Sequence, residues 1–399
     1  MGLLKIFFTI FIFIFPLAEL GRFQFPNGVA FSINEIILVI LIFSWLIHKI
    51  NKKETVGKSL ILKSSVIFAG IAFISLLLNI SNLSLDKLFV SFLYLLRWIS
   101  YLLLFFIVKD FDINYKKKIP YFMLFSGAIV VLGGYIQFFL YPSLRNLYYL
   151  GWDEHLYRMF SSFLDPNFLG TFLVLLLMLI LGFLYKYLRE RKLYLSLILS
   201  VLGITTLIAT YLTYSRSALV MLIVSLASFL FLIGKKKIIL ISILGLILII
   251  FLIPKSFKTE GTNFLRTASS EARIGSAEIA FKIFQGSPFY GVGFNAYRYS
   301  QNKYGLDNKD WMITHSGAGT DNSFLFVLAT TGVIGFASFI YFILSFFVLA
   351  KKNLKKNIFS IILFSSLAGL IVNSLFINSL FYVFILEWIW IIGGLTESK

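Results

Sequence analysis

Apolar runs about 20 residues long follow one another through almost the whole chain, joined by short polar connections. That is the length an α-helix needs to cross the roughly 30 Å hydrocarbon core of a bilayer. Inside lipid, only helices and closed barrels satisfy every backbone polar group. The chain is 59% hydrophobic and only 14% charged, whereas soluble domains are roughly a quarter charged. It therefore reads as an all-α integral membrane protein, with residues 1–399 forming one polytopic domain. The lack of cysteine excludes disulfides, thiol nucleophiles and cysteine metal sites.

About 12 transmembrane helices are expected, near 4–20, 33–50, 60–80, 86–108, 119–141, 166–185, 193–213, 216–234, 237–254, 321–349, 357–377 and 379–396. The first run lacks a small-residue cleavage pattern and reads as a retained span. The connections after spans 2, 4, 6, 8 and 10 are basic, and those after the odd spans are not. By the positive-inside rule both termini are then cytoplasmic. The inner side collects 22 Lys/Arg against 5 Asp/Glu, the outer side 14 against 13. The net charge of +18 is thus a topology signal, and no nucleic-acid surface is expected. No internal repeat is visible, so a duplicated transporter architecture gains no support.

The same parity places one large polar loop, 255–320, on the external face, with the 142–165 connection and the Tyr211–Arg216 turn. Within the loop, Ser270 to Gln285 reads as a short amphipathic helix ended by Gly286-Ser287-Pro288. Its apolar members Ile274, Ala277, Phe281 and Phe284 form a face that packs on the membrane domain or lies in the interface. The Tyr290–Phe294 turn lacks the pattern of a phosphate loop.

Three span entrances carry chemistry. Asp165 and Pro166 make a natural helix start, and capping does not explain the nearby Arg158. Ser215 can cap the eighth span, but Arg216 then stands in a first turn that disfavours a cation by about 0.3–1 kcal/mol. That placement fits a bound anion, or else an Arg reaching the headgroups. Asp321 either caps the tenth span or acts as a base, with His315 as the alternative base. Gly332 and Gly335 are expected to allow close helix packing. Asp307, Asp310, His315 and Asp321 match no standard metal spacing. Arg97 and Glu387 fall inside spans, at about 2.5–3.5 kcal/mol each by insertion scales, and a mutual ion pair is one resolution. Spans 6, 8 and 10 run inward, so Arg158, Arg216 and Asp321 meet at outward helix N-termini. Free N–H groups, the positive dipole and guanidinium groups suit a lipid-linked phosphate or pyrophosphate there.

At these residues the chain resembles the bacterial O-antigen ligase and O-antigen polymerase family. The R-x-x-(small)-x-F-x-x-P-N start matches Arg158 to Asn167, and the T-x-S-R turn matches Thr213, Ser215 and Arg216. The external-loop Arg and P-x-x-G-x-G turn match Arg273 and Pro288 to Gly293. The closing His/Asp-Asn-x-(aromatic)-Leu…Gly-x-x-Gly entry matches Asp321 to Gly335. Together the four cover roughly 158–335 in one order.

The resemblance implies an inverting, metal-independent glycosyltransferase of the bacterial cytoplasmic (inner) membrane, without a cofactor. It would move a glycan from an undecaprenyl-pyrophosphate-linked oligosaccharide to an acceptor hydroxyl on a glycan, lipid or protein, in cell-envelope polysaccharide or lipopolysaccharide biosynthesis. Arg216 and Arg273, with Arg158, would hold the pyrophosphate. Asp321 or His315 would be the base, and Ser215, Asn167 and Asn322 would support the site. Ligases of the family carry His where this chain has Asp321, which points toward a polymerase or another member. The alternative reading is a 12-span solute transporter.

Overall fold

The computed structural model describes residues 1–25, 29–57, 59–239, 242, 245, 259–264, 267–301 and 319–397. Its helices, in chain order, are α1 Gly2–Ile14, α2 Ile33–Asn51, α3 Leu60–Leu78, α4 Leu85–Asp110, the short α5 Ile113–Lys116 and α6 Ile119–Leu140. They continue as α7 Pro166–Arg189, α8 Leu193–Leu212, α9 Arg216–Leu232, α10 Ala268–Gly286, the short α11 Tyr297–Ser300, α12 Ser323–Asn353, α13 Ile358–Asn373 and α14 Val383–Thr396. The departure from an all-α chain is a small antiparallel hairpin, β1 Arg22–Gln24 with β2 Ala30–Ser32.

Among the described residues, eight helical spans are long and apolar enough to cross a membrane. The shorter α9, α13 and α14 are apolar too, and most of the expected 237–254 span lies outside the described residues. Those three shorter helices and the 237–254 run account for the other four of the expected twelve spans. In α14 every residue from Phe384 to Thr396 is buried, as a lipid-facing helix would not be. Helix α7 is the axis of the bundle. It is apolar all round from Leu173 to Leu181, and a helix apolar on every face must be enclosed. Leu169 to Ile180 are indeed all buried, among α6, α8, α9, α13 and α14. Since lipid tails are as apolar as leucine, close packing holds such helices together. Phe68 of α3, Trp98 of α4 and Phe342 of α12 meet with ring centroids 5.0 to 6.4 Å apart.

Helix polarity sorts the charges. Lys49, Lys109, Lys186, Arg189, Lys351 and Lys352 sit in the last turns of α2, α4, α7 and α12, where cations suit the dipole. Lys49 joins Asp110 at 2.8 Å and Glu54 at 3.1 Å, and Lys109 joins Glu397 at 3.0 Å.

The expected Arg97–Glu387 ion pair is not formed. Arg97 pairs with Glu35 of α2 through both Nε and Nη2, the latter 2.8 Å from Oε2. Glu35 also closes a capping box, accepting from Ser32 N at 2.7 Å, and takes a bond from Tyr101. A bidentate guanidinium with every carboxylate oxygen bonded offsets desolvation better than a lone contact would. Glu35→Ala is therefore expected to destabilise the fold by about 3 kcal/mol, the low end for a broken buried pair, since Arg97 keeps 25% of its side chain exposed. Denaturant unfolding in detergent checks this, and Glu35→Ala/Arg97→Ala together should cost less than Glu35→Ala alone.

Glycine332 does more than permit close packing. It breaks α12 with φ 66° and ψ −171°. The Pro288–Gly293 turn of the loop fills the gap, backbone to backbone. Val292 N donates to Ala329 O at 3.1 Å, Gly293 N to Thr330 O at 3.0 Å, and Val333 N to Pro288 O at 2.9 Å. From α3, Ser75 Oγ donates to Tyr290 O and Thr330 O, and Asn79 Nδ2 to Gly291 O. Backbone groups freed by a broken membrane helix need such partners.

Candidate functional site

Four motifs converge where α7, α9 and α12 begin. Asp165 caps α7 as expected, its Oδ1 accepting from Asn167 N at 2.6 Å and Phe168 N at 3.2 Å, with Pro166 in the first turn. Asn167 is the hub. Its Oδ1 accepts from Arg158 Nη2 at 3.2 Å and from Ser215 Oγ at 3.1 Å. Arg158 Nε donates to Thr213 O at 2.9 Å, and the residue is only 6% exposed. Arg158 thus braces the start of α7 against the turn into α9. Ser215 caps α9, accepting from Ala218 N.

Arg216 stands at the first residue of α9 and reaches away from its own helix. Its Nη2 donates to Ser269 Oγ at 2.7 Å and Ser270 Oγ at 2.9 Å, in the first turn of α10. One turn farther along α10, Arg273 faces Asp321, Arg216 and Asp165. Burial lowers its pKa, Asp321 and Asp165 raise it, and Arg216 lowers it further. Ser276 then ties α10 to the entry of α12: its Oγ donates to Thr320 Oγ1 at 3.1 Å and accepts from Asp321 N at 3.2 Å.

The cap of α12 is Asn322, and Asp321 does not fill that place. Asn322 Oδ1 accepts from Phe324 N at 2.9 Å and Leu325 N at 3.0 Å. The Asp321 carboxylate is thereby spared from capping and stays exposed. The protein around it nevertheless pushes its pKa above the ordinary range; Arg273 opposes this, and Asp165 and Asp153 add to it. A carboxylate must be ionised to accept a proton. If Asp321 is the base, activity rises with pH through a midpoint above about 4, the ordinary aspartate value. Asp321→Asn should lower turnover by about 100- to 10,000-fold and abolish that acid limb in a pH profile.

His315 lies outside the described residues, as do Asp307 and Asp310. The face of α10 that packs on the rest of the protein is not the one read from Ile274, Ala277, Phe281 and Phe284. Ile274 and Phe281 are 59% and 48% exposed, while Ala280 and Ile283 pack with Tyr297, Phe326 and Ala329. The helix is turned so that Arg273 and Ser276 meet α12. Sequence reasoning missed Ser269 and Ser270 as partners of Arg216, and Asp165 as a charge facing the site as well as a cap. It placed His155 in the external 142–165 connection without a partner, and its Nε2 lies 3.9 Å from Asp165 Oδ2. The Ser-Ser step before Glu271 was the one available signal.

Fold and site together define a multi-pass membrane protein with arginine and aspartate side chains gathered at the shared N-terminal end of its helices. Residues 201–340 match the family model described as O-antigen ligase. That match takes in Arg216, Arg273 and Asp321, so this stretch of the chain is similar to the O-antigen ligase family. No curated protein matches the chain. Neither fold nor match supports the solute-transporter alternative.

Proposed function

We propose that the protein transfers a glycan from undecaprenyl pyrophosphate to an acceptor hydroxyl on the outer face of the cytoplasmic membrane. The observation that carries this reading is the convergence of Arg216, Arg273 and Asp321 on one site, within a chain whose basic residues favour the opposite helix ends. The acceptor oxygen attacks the anomeric carbon from the face opposite the leaving group, and its proton passes to the Asp321 carboxylate. The bond from the anomeric carbon to the pyrophosphate oxygen breaks, and the sugar inverts. Arg216 and Arg273 take up the leaving negative charge without a metal ion, as fixed donors aimed where charge develops. Phosphate oxygens would replace the Ser269 and Ser270 hydroxyls at Arg216, exchanging neutral partners for charge-assisted bonds. Arg158 supports the site by holding α7 to the α9 turn.

An aspartate in place of histidine favours a polymerase over a ligase. Purified protein given lipid-linked oligosaccharide should yield a ladder of products. A single transfer to lipid or protein would mark a ligase, and no turnover of the donor would overturn the reading.

A further inference from the structure

Beneath the site, α2, α4 and α14 enclose a second polar cluster that the glycan-transfer reading does not use. Glu387 of α14 is fully buried and Asn34 of α2 is 3% exposed. Asn34 Nδ2 donates to Glu387 Oε2 at 2.5 Å. The other oxygen of each group, Asn34 Oδ1 and Glu387 Oε1, is buried without a hydrogen-bond partner among the described residues. These two orphans belong to side chains already joined through their other atoms. Both are acceptors, so nothing between them can donate.

The charges give a second, independent constraint. Glu35 and Arg97 neutralise each other. The groups acting on Glu387 are Glu35 of α2 and Arg97 of α4, with Tyr101 of α4 also facing it. Helix α13, which also packs on α14, has no titratable residue. The titratable residues of α7 begin only at Tyr185, near its far end, and those of α12 at Tyr341. Two carboxylates and one guanidinium leave one uncompensated negative charge, and an unpaired charge in the membrane interior is strongly disfavoured. A buried water could bond both oxygens, but it would leave that charge in place.

We infer that Asn34 and Glu387 form a binding site for one monovalent cation, a proton or Na⁺, held between Asn34 Oδ1 and Glu387 Oε1. A proton on Oε1 would donate to Oδ1 and complete a carboxylic acid–carboxamide pair with two hydrogen bonds. Sodium would take the same two oxygens as ligands, as oxygen-lined sites between membrane helices do. Glu387→Gln reproduces the neutral acid, since its amide NH₂ donates where the proton would.

The test needs no glycan substrate, so it stands or falls apart from the proposed reaction. Infrared spectra of the purified full chain in vesicles would be compared between wild type and Glu387→Gln. Melting temperatures would be measured with NaCl and with N-methylglucamine chloride at equal ionic strength. A carboxylic-acid C=O band present in wild type and lost in Glu387→Gln, with no sodium response, assigns the proton. A melting temperature that rises with sodium in wild type but not in the variant assigns Na⁺. In either case Glu387→Gln should fold and melt within about 4 °C of the cation-loaded wild type. A wild-type protein with neither the acid band nor a sodium response overturns the site, whatever the variant does.

Discussion

Arg216→Ala is expected to lower glycan transfer by about 100- to 1,000-fold, the loss seen when one donor to a developing oxyanion is removed. Arg216 opens α9, where the dipole disfavours it, and it spans to Ser269 and Ser270 of α10. Removing it takes away both the anion contact and the tie that draws α10 over the site. Arg216→Lys separates the two effects. A lysine keeps the charge but loses the planar fork that reaches two partners at once, so partial activity is expected. The measurement is turnover of lipid-linked oligosaccharide by each purified variant, with circular dichroism to confirm the helical content. Wild-type turnover by Arg216→Ala would remove the pyrophosphate role.

Gly332→Ala and Gly291→Ala should each destabilise the folded protein by about 2–5 kcal/mol, combining left-handed backbone strain with overpacking. Gly332 has φ +66°, and a Cβ there would lie 2.3 Å from the Phe289 carbonyl carbon and oxygen. Gly291 has φ +68°, and its Cβ would lie 2.3 Å from the Thr330 carbonyl carbon. Each clash is with backbone that the opposite strand of this junction holds in place, so neither neighbour can swing aside. Because the turn and the break lock each other, the two substitutions should be non-additive. Gly275→Ala, on α10 with nothing within 4 Å of its Cβ, is the control. It should be neutral or stabilising by about 1 kcal/mol, as for a helical glycine whose added methyl meets no neighbour. Thermal unfolding in detergent compares the three.

The parts of the site legible in the sequence were those set by local chemistry. Asp165-Pro166 announces a helix start because its carboxylate can reach N–H groups two and three residues ahead, and the structure uses it so. Ser215 is read the same way. The helix in the loop was legible from its periodicity, but its rotation was not. Two apolar stripes lie on α10, and contact with Tyr297 and Phe326 selects the one bearing Ile283. Asp321 and Asn322 are both competent caps; the path of the chain into α12 gives the role to Asn322.

By itself, then, the sequence determined that this chain is a bundle of apolar helices with cations at one set of ends, because hydropathy, dipoles and capping act within a few residues. Only the tertiary structure decided which distant groups meet. Arg97 chooses Glu35 over Glu387, α12 breaks at Gly332 to admit the loop, and Arg216 crosses to α10. Each pairing joins residues far apart in the chain whose chemistry allows several partners, and helix packing leaves one within reach.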